Sequence, residues 1–196
     1  MRLISRNPLK FITLFIISSF MNCSVVFAAQ EGNIKQQTNT QTPATTNVIV
    51  KQVLLVRHAE KSQSNSQDPQ LSAVGMQRAQ ALAEQLAPVA LSQLIASDYQ
   101  RTQLTLAPLA KEKALTLTIA STKSGISAHI KHIVALVKQE QGNSLIAGHS
   151  NTLPLIISAL GGPNIGTISE SSYGGIYQLQ LTQNGKVILT QSHFGQ

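Results

Sequence analysis

Arg57 and His58 stand side by side at the end of an unbroken apolar run, Val53-Leu54-Leu55-Val56, and are followed by Ala59-Glu60-Lys61. Such a run suits a strand buried on both faces of a parallel sheet. The pair then falls at the strand's carboxyl end, where open α/β sheets collect their ligands. A permanently charged guanidinium beside an imidazole predicts an anion site holding a nucleophile or base. Two later stretches repeat the pattern. Leu91 to Ala96 leads into Ser97-Asp98 with Arg101 close behind, and Ser144 to Ala147 leads into Gly148-His149-Ser150. Arg57, His58, Arg101 and His149 would then meet at one sheet edge, four groups able to contact a tetrahedral dianion. Both arginines can hold phosphate oxygens through paired N–H bonds.

The elements that must position these residues follow in order. Ser72 is a plausible N-cap for a helix carrying Met76, Ala79, Leu82, Ala83 and Leu86 on its apolar stripe, stopped by Pro88. Asp98 is expected to cap a helix from Tyr99 to about Leu109, with Pro108 kinking or ending its last turn. Residues 114–121 alternate as a strand, and a helix from about Ser127 to Gln139 carries Ile126, Ile130, Ile133, Val134 and Val137 as its stripe. Ser150-Asn151-Thr152 is expected to cap a helix over Leu153 to Leu160, with Pro154 in its permissive first turn. The helix starts at Asp98 and Ser150 would add backbone N–H groups beside the crevice. Ile176 to Leu181 and Val187 to Gln191 flank Asn184-Gly185, a hairpin signal. Four strand–helix units and a hairpin predict a three-layer α/β/α sandwich with a mostly parallel sheet.

The chain has 196 residues, room for one ordinary domain beside non-globular segments. Residues 1–28 are expected to be a cleaved signal peptide: Arg2, Arg6 and Lys10 precede an apolar stretch, and Val26-Phe27-Ala28 offers a small-residue cleavage site. The alternative is an uncleaved anchor, against which Asn22, Cys23 and Ser24 interrupt the apolar stretch. Asn22 is not the small residue that lipidation at Cys23 would favour. Residues 29–47 are polar, with Ile34 the one large apolar side chain, and read as a flexible leader. The folded domain is expected over 48–196, in the periplasm or secreted.

Cleavage removes Cys23, the only cysteine, so the mature chain holds together without an intramolecular disulfide. Of 15 Lys and Arg, 12 then remain against 8 acidic residues, and the formal charge falls from +7 to +4. That mild balance, with 4% aromatic residues and no basic run, gives no support to nucleic-acid binding. No membrane contact is expected after cleavage, and the sequence leaves the oligomeric state open.

Four motifs in order carry a resemblance: Arg57-His58-Ala59-Glu60-Lys61, Leu71-Ser72-x-x-Gly75-x-x-Arg78-Ala79, Ser97-Asp98-Tyr99-Gln100-Arg101-Thr102 and Gly148-His149-Ser150-Asn151-Thr152. Together they resemble the histidine phosphatase superfamily, with its phosphoglycerate-mutase-like fold, across residues 53–160. The resemblance implies a phosphatase in which His58 takes the phosphoryl group as a phosphohistidine. Arg57, Arg101 and His149 would complete the phosphate pocket, with Ser150 beside them. It implies a phosphorylated small-molecule substrate, no cofactor and no metal, since cationic side chains do the neutralising. Many members protonate the leaving oxygen with a carboxylate. Here Glu112 and Glu140 suit solvated helix ends, which leaves Glu60 and Glu170 as candidate proton donors.

Glycolytic mutase activity is disfavoured by the export signal. A protein phosphohistidine phosphatase and a phospholigand-binding module that has lost turnover are the alternatives. His129 and His132 have a spacing that metal sites use, but without a third ligand they read as surface histidines. Arg78 reads as a structural or rim residue, and Lys61 as a rim or solvated loop residue. Gly148-His149-Ser150 is not the elbow of a serine hydrolase.

Overall fold

In the computed structural model, which describes residues 47–195, the first strand shows why the molecule has three layers. Strand β1 (Ile49–Arg57) is buried from Val53 onward. Successive side chains of a strand point to opposite faces, so each face needs its own apolar cover. Val53 and Leu55 join one cluster with Ile133, Val137, Leu153, Ile156 and Ile157. Leu54 and Val56 join another with Leu82, Leu86, Leu106 and Leu109. Helices α3 (Ile126–Gln139) and α4 (Leu153–Ala159) supply the first cover, and α1 (Ala73–Leu86) and α2 (Gln100–Lys113) the second. The fold is an α/β/α sandwich.

With β2 (Gln93–Ser97), β3 (Leu117–Ala120), β4 (Ser144–Gly148), β5 (Gly175–Thr182) and β6 (Val187–His193), the sheet has the order β3-β2-β4-β1-β5-β6. The first four strands run parallel, while β5 lies antiparallel to β1 and β6 antiparallel to β5. Register places the chemistry. Arg57 pairs with Gly148 across β1 and β4, and His58 N donates to Gly148 O at 2.9 Å, so His58 and His149 emerge together. Ala96 pairs with Ala147, which brings Ser97 to the same end.

Several local expectations are corrected. Helix α2 runs through Pro108 to Lys113, because buried Leu106 and Leu109 hold both sides of the proline against the sheet. The longer helix leaves β3 only from Leu117, after Ala114 has turned the chain out with a positive φ of 52°. Asp98 does not cap α2. Tyr99 is the N-cap, and Asp98 instead accepts from Thr122 N and Thr122 Oγ1 at 3.0 and 2.7 Å, tying the β2 exit to the loop before α3. Ser150 does not cap α4, whose N-cap Thr152 makes no side-chain cap bond there. Met76 and Ile126 lie exposed rather than in the apolar stripes.

His129 is buried, not on the surface, with Nδ1 donating to Ala120 O at 3.1 Å. It stands one helical turn from Ile133, on the buried stripe. The signal segment and nearly all of the leader, up to residue 46, lie outside the described residues. Among the described residues no helix is long and apolar enough to cross a membrane.

Candidate active site

A crevice of about 480 Å3 opens beyond the carboxyl ends of β1, β2 and β4, lined by Arg57, His58, Lys61, Tyr99, Arg101, His149, Ser150 and Glu170, among others. Arg57, His58 and His149 are buried, while the Glu170 side chain is 80% exposed. The His58 and His149 rings meet edge to face at 5.3 Å.

Hydrogen bonds fix the state of each imidazole. His58 Nδ1 lies 2.7 Å from Ala59 O. A carbonyl can only accept, so Nδ1 carries the proton and Nε2 keeps the lone pair. Ala59 N donates to Thr105 Oγ1 at 2.9 Å, and Thr105 Oγ1 donates to Arg101 O at 2.7 Å. This relay fastens the residue after His58 to the helical turn that carries Arg101. His149 Nδ1 accepts from Arg101 Nη2 at 3.4 Å, so its Nε2 carries the proton and donates to Ser97 Oγ at 3.1 Å. Ser97 Oγ meets Thr102 Oγ1 at 2.8 Å, which in turn donates to Tyr99 O.

Both histidines are neutral at pH 7. Burial is the main force pulling His58 down to about 4; Arg101 and Arg57 add to it, and the bond to Ala59 O opposes it. Burial, then Arg101, brings His149 down to about 3. A neutral His58 with a free Nε2 beside two guanidinium groups has the arrangement that nucleophilic attack on a bound anion requires.

Arg57 is committed to the loop between α4 and β5. Its Nη1 donates to Ser169 O, Glu170 O and Ser172 O at 2.9, 2.7 and 3.1 Å, and its Nη2 to Glu170 Oε2 at 2.7 Å. Its guanidinium carbon sits 4.3 Å from the Tyr173 ring centroid. Buried Arg57 Nε has no partner among the described residues. Ser150 Oγ donates to Glu170 Oε1. That bond and the charge of Arg57 hold the Glu170 carboxyl below the usual carboxylate range. Arg101 stacks over Tyr99, its guanidinium carbon 4.2 Å from the ring centroid, and Nη1 lies 3.6 Å from Asp68 Oδ1.

Glu60 is held away from the crevice lining. Arg78 Nε contacts both its oxygens at 2.9 Å, and Arg78 Nη2 contacts Oε1 at 2.7 Å. Burial would raise the Glu60 carboxyl, but bonding to Arg78 outweighs it and the group stays below its ordinary range. Arg78 also donates to Phe194 O and Gly195 O, so it braces the segment behind His58 against the end of the chain. Gly75 lets α1 approach that segment. A Cβ there would stand 2.2 Å from Glu60 O.

The structure thus brings Arg57, His58, Arg101, His149, Ser150, Glu170 and Lys61 to one crevice and leaves Glu60 behind it. Sequence reasoning passed over Tyr99, Tyr173 and Ile126. Tyr99 lies inside the Ser97-Asp98-Tyr99-Gln100-Arg101-Thr102 motif, and its ring stacks under the Arg101 guanidinium. Tyr173 sits in a loop with no periodicity, and the spacing of Ile126 points to the apolar stripe of α3 rather than to the crevice. Among the described residues, no group of three or more His, Cys, Asp or Glu is placed to hold a metal ion.

Residues 53–122 match the family model of the histidine phosphatase superfamily (branch 1). No curated protein matches the chain. Among solved structures, the fold is similar to that of the protein histidine phosphatase SixA complexed with tungstate, at a TM-score of 0.57 and 16% identity, covering 72% of this chain and 96% of that one. It is also similar to the mycobacterial glucosyl-3-phosphoglycerate phosphatase with inorganic phosphate, at 0.56 and 14%, covering 72% and 95%. At such identities the likeness is one of fold. The motif-bearing segment carries the likeness: residues 53–122 of this chain are similar to the histidine phosphatase superfamily (branch 1).

Proposed function

We propose that the protein is an exported phosphatase that hydrolyses phosphomonoesters through a phosphohistidine on His58. The observation that carries this reading is the bond from His58 Nδ1 to Ala59 O, which leaves Nε2 neutral and unprotonated in a crevice with Arg57 and Arg101. Nε2 attacks phosphorus, the P–O bond to the leaving group breaks, and the leaving oxygen takes a proton from water. Water then attacks the phosphohistidine, the P–N bond breaks, and inorganic phosphate departs. Arg57, Arg101 and His149 neutralise the phosphoryl oxygens, and Ser150 lies beside them. Once the dianion is bound, His149 has reason to take a second proton and donate to it, with Ser97 still accepting from Nε2. Tungstate and inorganic phosphate in the two neighbouring structures are oxyanions of the kind this pocket would take. Rapid quenching during turnover of a labelled aryl phosphate should trap an acid-labile label on His58. A chain that turns over substrate without such a label would sink the covalent route.

Neither candidate proton donor stands ready as an acid, since Glu60 is paired with Arg78 and Glu170 with Arg57. The enzyme therefore depends on leaving groups that depart without a donated proton. A well-placed general acid is worth roughly 10²–10⁴-fold. We expect kcat/KM for aryl phosphates to exceed that for simple alkyl phosphates by at least about 10²-fold, measured across a series of leaving-group pKa values. A flat series would mean that a protein acid operates. The same logic favours phosphohistidine as a second substrate class, because a protonated imidazole leaves as a neutral molecule.

Export rests on the sequence of residues 1–28 and the domain assignment on 48–196. The mature protein should begin at Ala29 and be recovered in the soluble exported fraction. Mass spectrometry of a membrane-bound chain retaining Met1 would replace export with anchoring.

A further inference from the structure

The Glu170 carboxylate takes two donors from residues that line the crevice, Arg57 Nη2 and Ser150 Oγ. The pairing is lopsided: the Arg57 side chain is 3% exposed and the Glu170 side chain 80%. Arg57 cannot leave, because Nη1 is fixed by three loop carbonyls. Glu170 can when a phosphoryl anion takes its place: its side chain is already 80% exposed to water, and the incoming anion keeps buried Arg57 from being left unpaired. Its backbone would stay, tethered through Ser169 O, its own carbonyl and Ser172 O. A tethered group competes at an effective concentration set by its tether, in the millimolar range for a short one. We propose that Glu170 is an internal competitor for the phosphate site, which phosphoryl substrates displace and which returns to Arg57 and Ser150 to expel inorganic phosphate.

This rests on the phosphate pocket described above. Removing the charge should therefore tighten anion binding while leaving the loop anchored. The experiment measures inhibition of aryl phosphate hydrolysis by inorganic phosphate and by orthovanadate in wild type, Glu170→Gln, Glu170→Ala and Glu170→Asp. Both inhibition constants should fall at least about tenfold in the Gln and Ala variants, with KM falling alongside, and the shorter Asp should lie between them and wild type. Thermal unfolding measured beside them identifies any variant that has lost its fold, and the remaining variant then decides. Wild type inhibited by both anions, with variants inhibited no more tightly, overturns the role of Glu170 alone. Selective loss of alkyl phosphate hydrolysis with unchanged inhibition makes Glu170 a proton donor and likewise overturns it. Wild type and variants that bind neither anion overturn the pocket, and this inference with it.

Discussion

His58→Ala should abolish hydrolysis of p-nitrophenyl phosphate, by at least about 10⁴-fold in kcat, or roughly 5.5 kcal/mol of barrier at 1.36 kcal/mol per factor of ten. The expectation follows from the geometry of one ring. Its Nδ1 proton is held by Ala59 O, so Nε2 is the free atom, and no cysteine lies among residues 47–195 to replace it. The fold should survive, since the ring bonds only to the carbonyl next to it and the sheet beneath is closed by Val53 to Val56. Circular dichroism checks that point. The pH profile offers a second reading of the same residue. A pKa lowered to about 4 keeps the nucleophile neutral as pH falls through 6.5, where an ordinary histidine would be protonated and inactive. Corrected for the substrate's own ionisation, kcat/KM should hold down to about pH 5 and fall below it. A variant within about tenfold of wild type, or an acid limb centred near 6.5 in the wild type, would break the assignment.

The convergence of Arg57, His58, Arg101 and His149 was legible because each depends on a strand exit. An apolar run fixes a buried strand, parallel register aligns the exits, and the residue after the run is then at the crevice by construction. Caps were less legible. Asp98 is a good N-cap by type, yet its oxygens go to Thr122 and Ser121, contacts created only when the β2 exit meets the loop before α3. Ser150 was diverted in the same way, by Glu170. A local preference worth about 1 kcal/mol loses to a tertiary partner of comparable strength. The loop around Glu170 carries no periodicity to announce its place. Its order comes from Arg57, whose guanidinium gathers three of its carbonyls. His129, by contrast, could have been found. Four residues before Ile133 and eight before Val137, it lies on the buried stripe of α3.

Arg101→Lys should lower kcat/KM by roughly 10²–10³-fold, the scale of losing one donor that acts on the transition state. Arg101 stands in the first turn of α2, after β2, which β4 separates from β1 in the sheet, and only the fold brings it and Arg57 to one crevice. The Thr105 relay from Ala59 N to Arg101 O fixes its backbone, and the face of Tyr99 at 4.2 Å fixes its plane. A lysine keeps the charge but gives up the planar fork and the flat stacking surface, so the two phosphoryl oxygens it would clamp lose their geometry. The contact to His149 Nδ1 at 3.4 Å goes as well, which loosens the second imidazole in the pocket. Orthovanadate inhibition should weaken in step, because vanadate resembles the transferring group more than the resting phosphate ester. If Arg101 were an exposed helix residue with no part in the chemistry, the lysine exchange would be nearly silent. Unchanged turnover together with unchanged vanadate affinity would remove Arg101 from the pocket and leave Arg57 and His149 to hold the phosphoryl group alone.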